Sequence, residues 1–260
     1  MNCSVSDAPE SRLGIAYRTL YELLCGRHPN LRPWHFQWLP AHFLNRSMAR
    51  WLSGLGGTVL DLGCGQKPYQ PLFGPLVACI GVDHTPLTRA DVVAAVDRRL
   101  PFQDGAFDAV LMAQVMEYLA DPGRAIAEIW RVLRPGGVAV ISFPFLFNEH
   151  GPHDYLRLSG RAVETLFADF GIRCLERQGG IGSTLAILLL NWLHVSLNRT
   201  FLLRLARPFL LPVWLPFCAV VNLAALVLDR LDVTNVFYSN VFVVLEKPGG
   251  KAVPEGAPAS

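Results

Sequence analysis

A short apolar strand that runs into a glycine turn constrains the fold more than any other feature. Thr58–Gly65 reads TVLDLGCG, and Cys79–Asp83, which reads CIGVD, predicts a second strand that ends on a carboxylate. The stretches FDAVLMAQ and GVAVISFP predict two more strands. Between them a helix is predicted, because Asp121 is a good N-cap and Pro122 suits the first helical position. Strands that alternate with helices predict a parallel, doubly wound sheet, whose ligands bind at the carboxyl ends of its strands.

The glycine turn predicts a nucleoside ligand. Gly63 and Gly65 permit a tight turn and a close approach of the backbone to a ligand. Asp83 follows Gly65 by 18 residues and ends the next strand, where a carboxylate can accept both hydroxyls of a ribose. A dehydrogenase is not expected, because the dinucleotide pattern GxGxxG would need a glycine where the chain has Pro68, which obstructs the start of a pyrophosphate-binding helix.

Three ordered motifs resemble class I methyltransferases that use S-adenosylmethionine, of the methyltransferase type 11 group. They are LDLGCG from Leu60, DRRLPFQDGAFDAV from Asp97 and DPGRAIAEIWRVLRPGG from Asp121, and the resemblance covers about Thr58 to Gly171. It implies S-adenosylmethionine as the cofactor and a Rossmann-like α/β fold, a doubly wound, mostly parallel, seven-stranded sheet with an antiparallel last strand. The cofactor-binding residues that it implies are Asp61, Gly63, Cys64 and Gly65 at the methionine end, Asp83 at the ribose, Asp97 at the adenine amine and Gln114 beside the sulfonium.

Two departures from the family pattern change these expectations. Prolines at positions 68, 71 and 75 fall where the family begins a regular helix, so that helix is expected to be short or distorted. Tyr118 stands where the family commonly has a histidine, so no catalytic base is carried over to that position.

Acceptor chemistry is expected in the loop FPFLFNEHGPHDYLRLS, which follows the fifth strand. Methyl transfer to a hydroxyl needs a base, and His150 or His153 is the candidate, with Asp154 to orient it. The loop also resembles an H..P.DY.R segment of these methyltransferases, some of them associated with cell-surface glycan assembly. Tyr155 and Arg157 are then either substrate-binding or, like Asp154, structural. A metal site is not expected, since adjacent positions 153 and 154 converge poorly on one ion.

A long apolar stretch interrupts the end of the sheet. IRCLERQ predicts the sixth strand, and Val236–Pro248 predicts the last one. Between Gln178 and Leu228 there is no Asp, Glu or Lys, and the charged residues are Arg199, Arg204 and Arg207. The stretch is therefore predicted to be a helical insertion that leaves the sheet at the edge where ligands bind.

The insertion is long enough for a spanning hairpin, since a spanning helix needs about 20 apolar residues. Such a hairpin would place its arginines outside the cell, contrary to the positive-inside tendency. Pro212 and Pro216 are expected to break its second half, and the first half has a polar stripe at helical spacing, made of Thr184, Asn191, His194 and Asn198. We therefore expect a monotopic arm that lies in the cytoplasmic membrane interface, or, as the alternative, a helical cap buried on the enzyme or in a homodimer.

The expected domains are an N-terminal helical cap (1–55), a cofactor-binding domain (56–178 and 236–248), the membrane-associating insertion (179–235) and a disordered tail (249–260). No secretory signal is expected, because MNCSVSDAPESR lacks an apolar core, and a net charge of +2 does not favour a nucleic-acid partner. The sequence predicts O-methylation of a lipid-linked or membrane-embedded acceptor at the cytoplasmic membrane face. The alternatives are a methyltransferase for a soluble metabolite whose arm dimerises, and an inactive cofactor-binding scaffold.

Overall fold

The computed structural model describes residues 12–199 and 201–249. The strands are β1 Thr58–Leu62, β2 Ala78–Asp83, β3 Val92–Val93, β4 Phe107–Ala113, β5 Leu133–Pro144, β6 Gly171–Gln178 and β7 Asn240–Glu246. The helices are α1 Arg12–Cys25, α2 Trp38–Leu52, α3 Pro122–Val132, α4 Gly160–Leu166, α5 Ile181–Arg199 and α6 Phe201–Leu231. Single turns of 3-10 helix follow β1, at Gln70–Leu72, and β4, at Met116–Tyr118.

The strands form one seven-stranded sheet in the order β3-β2-β1-β4-β5-β7-β6. Strands β1 to β5 pair in parallel, and β7 lies antiparallel between β5 and β6. The prediction of a Rossmann-like, mostly parallel sheet with an antiparallel last strand is confirmed. Apolar side chains bury both faces of the sheet: Ile129 of α3 lies in the cluster on one face and Met48 of α2 in the cluster on the other. The carboxyl ends of β1, β2, β4 and β5 are thereby left at one edge, as the order of the strands requires.

Local sequence signals account for several of these elements. Asp121 caps α3 by accepting a hydrogen bond from the backbone N–H of Arg124 at 3.3 Å. The helix after β1 is short, as predicted, because only a single 3-10 turn, Gln70–Leu72, forms there. Helix α4 ends at Leu166, and Phe167 and Phe170 beyond its end are also buried.

The insertion between β6 and β7 is the helical hairpin α5–α6. The predicted break at Pro212 and Pro216 is wrong, because α6 continues through both of them and through Pro208. The three prolines are four residues apart and exposed, so they lie along one outer side of the helix, where each ring avoids the packed side. By length and composition Ile181–Arg199 and Ala206–Leu231 could each cross a membrane, and the larger part of each helix is not buried within the protein.

The base of the hairpin is closely packed. Asp229, near the end of α6, accepts hydrogen bonds from the backbone N–H and the hydroxyl of Ser183 in the first turn of α5. A side chain at Gly182 would lie 2.4 Å from the carbonyl oxygen of Ala225, so a glycine is needed for the two helices to approach this closely. The two helices are therefore joined side by side where they leave the sheet.

Candidate functional site

A cavity of about 290 Å³ opens at the carboxyl ends of β4 and β5. Gln114, Glu117 and Tyr118 line it after β4, and His150, Asp154 and Arg157 line it after β5. The opposite wall comes from the N-terminal part of the chain, between α1 and the first turns of α2. Sequence analysis placed helices over this opening but did not identify their contacts, which include His28, Leu31 and His35.

Beside the cavity, the glycine turn after β1 has the geometry of a nucleoside-binding loop. Gly63 and Gly65 adopt φ of 68° and 50°, the left-handed region that favours glycine. A Cβ at Gly65 would meet nothing within 4 Å, so the backbone there borders open space. The N–H of Gly65 donates to Oδ2 of Asp83 at 3.0 Å, which fixes the buried carboxylate at the end of β2 against the turn.

Under this turn lies an unsatisfied carboxylate. Asp61 in β1 is 3% exposed, and its Oδ2 has no hydrogen-bond partner in the described part of the chain. Burial raises the pKa of Asp61 to about 7, with Lys67 opposing the shift and Asp83 adding to it. A buried acceptor without a partner is a site where a cationic or hydrogen-bonding group of a ligand is favoured.

Cys64 and Asp97 occupy different surroundings. The Cys64 thiol is buried, and burial, reinforced by the Asp61 and Asp83 charges, raises its pKa to about 12, so it stays protonated. Any contact of this residue with a ligand would therefore use its backbone. Asp97 is half-buried in the loop between β3 and β4.

Gln114 is held firmly where β4 ends. It adopts φ of 56°, and its Nε2 donates to Oγ of Ser142 at 3.1 Å and to Oδ1 of Asn240 at 3.0 Å. Nδ2 of Asn240 in turn donates to Gln178, whose Nε2 donates to Ser47 of α2. The partners Asn240, Gln178 and Ser47 are not predicted from the sequence. A buried polar residue in a strand, such as Ser142 or Asn240, is the signal that could have found them.

The loop after β5 differs from the predicted arrangement. Asp154 does not orient an imidazole: it forms a two-point ion pair with Arg157 and accepts a hydrogen bond from the backbone N–H of His150 at 2.7 Å. The pairing with Arg157 lowers the pKa of Asp154. The physical reason is local, since the guanidinium of an arginine three residues later binds a carboxylate through two parallel charge-assisted hydrogen bonds. His153 and Tyr155 are exposed outside the cavity, where Nδ1 and the hydroxyl lie 3.0 Å apart.

Glu117 is an acidic residue of the cavity that was not predicted from the sequence. It is 2% exposed, and neither of its carboxylate oxygens has a hydrogen-bond partner among the described residues. Burial raises the pKa of Glu117 to about 8; the nearby backbone N–H of Glu117 itself and the Arg157 charge oppose this shift, and the Asp154 charge adds to it. Within residues 12–199 and 201–249, no group of three His, Cys, Asp or Glu side chains is arranged to hold a metal ion.

Residues 60–141 match the family model of the methyltransferase domain. The chain carries a methyltransferase domain. It is 36% identical over 99 residues to a probable S-adenosylmethionine-dependent methyltransferase of Mycolicibacterium smegmatis, which covers 34% of this chain and 38% of that protein. An uncharacterized methyltransferase of Mycobacterium sp. (strain KMS) is 36% identical over 109 residues, or 38% of this chain and 43% of that protein. The chain thus spans less than half the length of the curated relatives that it matches.

Solved structures share the fold. The cyclase SpnF superposes with a TM-score of 0.54 at 21% identity, covering 81% of this chain and 82% of that one. Phosphoethanolamine N-methyltransferase 2 of Haemonchus contortus, solved with S-adenosylmethionine, gives 0.50 at 17% identity, covering 82% and 56%. S-adenosylmethionine is the cofactor of the methyltransferase domain. The residues present fit it, because the unpaired oxygen of Asp61 suits its ammonium group and the open backbone at Gly65 leaves room for it.

Proposed function

We propose that this protein methylates an oxygen atom of a lipid-linked or membrane-embedded acceptor, such as a glycan or lipid intermediate, at the cytoplasmic face of a membrane. The observation that carries the proposal is the apolar outward face of the α5–α6 hairpin. Its most exposed large side chains are Leu185, Trp192, Val195, Phe209, Val213, Val220, Leu223, Val227 and Leu231. A contiguous apolar surface of this kind marks contact with a membrane or a partner.

The inward face of the hairpin supports an in-plane position. The ring of His194 stacks on Phe36 at 3.8 Å between centroids, and the guanidinium of Arg207 lies 4.5 Å from the ring centroid of Tyr17. Nδ2 of Asn222 donates to the backbone carbonyls of Pro33 and His35 at 2.7 and 3.0 Å. A spanning hairpin would carry these N-terminal segments and polar groups into hydrocarbon, where each unsatisfied polar group costs several kcal/mol. The hairpin is therefore proposed to lie on the membrane.

Charge at the far end of the hairpin favours anionic lipid. Arg199 and Arg204 are exposed where α5 and α6 meet, and no acidic residue lies between Gln178 and Leu228 to oppose them. Each basic residue near an anionic membrane surface contributes about 1 kcal/mol. The same helices carry the exposed Trp192, a side chain that prefers the headgroup region.

In this proposal the sheet edge holds the cofactor and the cavity holds the acceptor. Asp61, Gly63 and Gly65 hold the methionine end, with Cys64 contributing its backbone, Asp83 binds the ribose, Asp97 approaches the adenine and Gln114 lies beside the sulfonium. His150 and Arg157 form the acceptor wall of the cavity. The described part of the expected N-terminal cap, from α1 to α2, covers the acceptor, while residues 1–11 of that cap and positions 250–260 of the expected disordered tail lie outside the described residues.

Membrane binding is tested by flotation of the full chain with liposomes of phosphatidylglycerol and phosphatidylcholine. The wild-type protein is expected to float, and the double variant Phe209→Glu/Val213→Glu is expected to stay at the bottom. Leu76→Glu is the matched control, because Leu76 is 91% exposed but lies in the loop before β2. Transfer of labelled methyl groups to a total lipid extract then tests the acceptor class by mass spectrometry.

Two other outcomes would favour the alternatives. If wild type does not float, and Phe209→Glu/Val213→Glu converts a dimer into a monomer, the outward face is a homodimer interface and the acceptor is a soluble metabolite. If the protein binds S-adenosylmethionine and floats but methylates neither lipid extracts nor soluble metabolites, it is a membrane-bound scaffold.

A further inference from the structure

Glu117 is a buried carboxylate to which the proposed function has assigned no role. Both of its oxygens are buried and unpaired, and the residue lines the cavity. Leaving such a group without partners costs about 1–3 kcal/mol or more, so each instance in a folded protein calls for an explanation. A ligand that enters the cavity and offers a hydrogen-bond donor would remove this cost.

Glu117 belongs to a short segment that contacts both the glycine turn and the cavity. Val115, two residues earlier, packs against the glycine turn so closely that a Cβ at Gly63 would lie 2.3 Å from its Cγ2. Gln114 lines the same cavity as Glu117. The segment after β4 therefore runs from the cofactor turn to the acceptor cavity, and Glu117 lies on the acceptor side of it.

Backbone hydrogen bonds fix this segment. The carbonyl oxygen of Glu117 accepts from the N–H of Tyr155 at 2.8 Å and from that of Leu156 at 3.3 Å, which joins the turn after β4 to the loop after β5. The two terminal nitrogens of Arg157 bind Asp154 and backbone carbonyls, and its Nε has no partner among the described residues, so Arg157 acts on Glu117 through its charge and not through a hydrogen bond. The other ionisable side chains that line the cavity are Glu22, Arg27, His28, His35, Tyr118 and His150.

The neighbouring His150 has partners at one ring nitrogen and on one ring face. Its Nδ1 lies 3.3 Å from Nδ2 of Asn148 and 3.4 Å from the carbonyl oxygen of the same residue. Its ring packs against Phe147, with 5.2 Å between centroids. These contacts give His150 a part in shaping the cavity wall, whereas both buried oxygens of the Glu117 carboxylate lack a hydrogen-bond partner among the described residues.

We propose that Glu117 is the catalytic base, and that the acceptor is a hydroxyl compound. This inference rests on the proposed methyl-transfer function. The acceptor hydroxyl donates a hydrogen bond to the Glu117 carboxylate, and its oxygen forms a bond to the methyl carbon while the methyl–sulfur bond breaks and leaves its electron pair on sulfur. The hydroxyl proton passes to Glu117, which later releases it to water through the cavity mouth. The products are a methyl ether, a neutral thioether and a protonated carboxyl group.

The test compares Glu117→Gln with Glu149→Gln, the same chemical change at an exposed position of the neighbouring loop. Calorimetry is expected to give wild-type affinity for S-adenosylhomocysteine in both variants. In protein labelled with ¹³C at the glutamate carboxyl groups, one resonance is expected to titrate near pH 8, as the buried carboxyl requires, and to be missing only in Glu117→Gln. Methyl transfer to a total lipid extract is expected to fall about 100-fold or more in Glu117→Gln alone, the usual contribution of a general base.

The pH profile separates a base from a structural residue. The wild-type rate is expected to rise with pH up to about pH 8, because the base must be deprotonated, and the residual rate of Glu117→Gln is expected to lose this rise. Two results would overturn the assignment of Glu117 and leave the proposed function intact. One is a methyl-transfer rate of Glu117→Gln equal to that of wild type, and the other is a titration in which every glutamate carboxyl resonance has its midpoint below pH 6. If wild type fails to bind S-adenosylmethionine, the proposed function itself is wrong, and the NMR titration still decides the state of Glu117.

Discussion

Binding of S-adenosylmethionine should depend on pH through Asp61. Burial raises the pKa of this carboxyl to about 7 in the ligand-free protein, and its Oδ2 has no partner. The ammonium group of the cofactor would supply the missing partner and favour the ionised form. The pKa of Asp61 is raised in the free protein, and binding of the cofactor would lower it. Below pH 7 binding therefore releases a proton from Asp61, and the affinity for the cofactor falls as the pH falls.

The magnitude follows from the fraction of Asp61 that is already ionised. With a pKa of about 7, roughly 9% of the carboxyl is ionised at pH 6 and about half at pH 7. The dissociation constant should therefore be about fivefold larger at pH 6 than at pH 7, or about 1 kcal/mol, and should approach a tenfold change per pH unit below pH 6. An α-amino group titrates near pH 8, so the cofactor itself stays cationic across this window.

Isothermal titration in two buffers of different ionisation enthalpy measures both the affinity and the number of protons released. Asp61→Asn is expected to bind more weakly at pH 7 and to lose the dependence between pH 6 and 7. Asp83→Asn is the comparison variant: it is expected to weaken binding at both pH values and to keep a pH dependence that is displaced to lower pH, because the Asp83 charge contributes to the raised pKa of Asp61. A wild-type affinity that is constant between pH 5.5 and 7, with no proton release, would refute the contact between Asp61 and the ammonium group.

Three further outcomes test other parts of the site. Asp83→Ala should weaken S-adenosylmethionine binding by 10-fold or more, about 1.5–3 kcal/mol for a charge-assisted contact, and unchanged affinity in calorimetry would remove the ribose assignment. Gly63→Ala should lower cofactor affinity and the unfolding midpoint together, because φ is 68° and its Cβ would meet Val115; Gly74→Ala, where a Cβ meets nothing within 4 Å, should change neither. Asn222→Leu should destabilise the protein by about 1–3 kcal/mol and speed hydrogen exchange between residues 33 and 38, because two carbonyls lose their donor; protection equal to wild type would contradict this.

Local chemistry made the sheet and the glycine turn predictable. A short apolar strand followed by Gly63 and Gly65, with Asp83 ending the next strand, needs only neighbouring residues to specify it, and the structure joins Gly65 to Asp83 directly. The helical interruption at Pro212 was predicted from the cost of a proline inside a helix. The prolines lie on the exposed side of α6, and the opposite side is packed against the protein. This packing keeps the helix continuous in spite of the prolines.

Features that depend on distant contacts could not be read from local patterns. The availability of Glu117 follows from the pairing of Arg157 with Asp154, a competition that the spacing of the loop suggests but does not decide. The contact of Gln114 with Asn240 joins positions 126 residues apart. The place of His28 and His35 in the cavity depends on the fold of the whole N-terminal region.

The strand order also determines the sequence of events during synthesis. Strand β7 is the last described strand in the chain, yet it lies between β5 and β6, and β6 pairs only with β7 among the described strands. On a ribosome the apolar α5–α6 hairpin therefore emerges while β6 still has no neighbour and the sheet is incomplete. Chains with exposed apolar surface and unpaired strand edges are prone to aggregate at this stage. If the hairpin binds lipid as proposed, a nascent chain can shield its apolar face before β7 arrives, so the membrane would act first as a folding partner and only later as the place of catalysis.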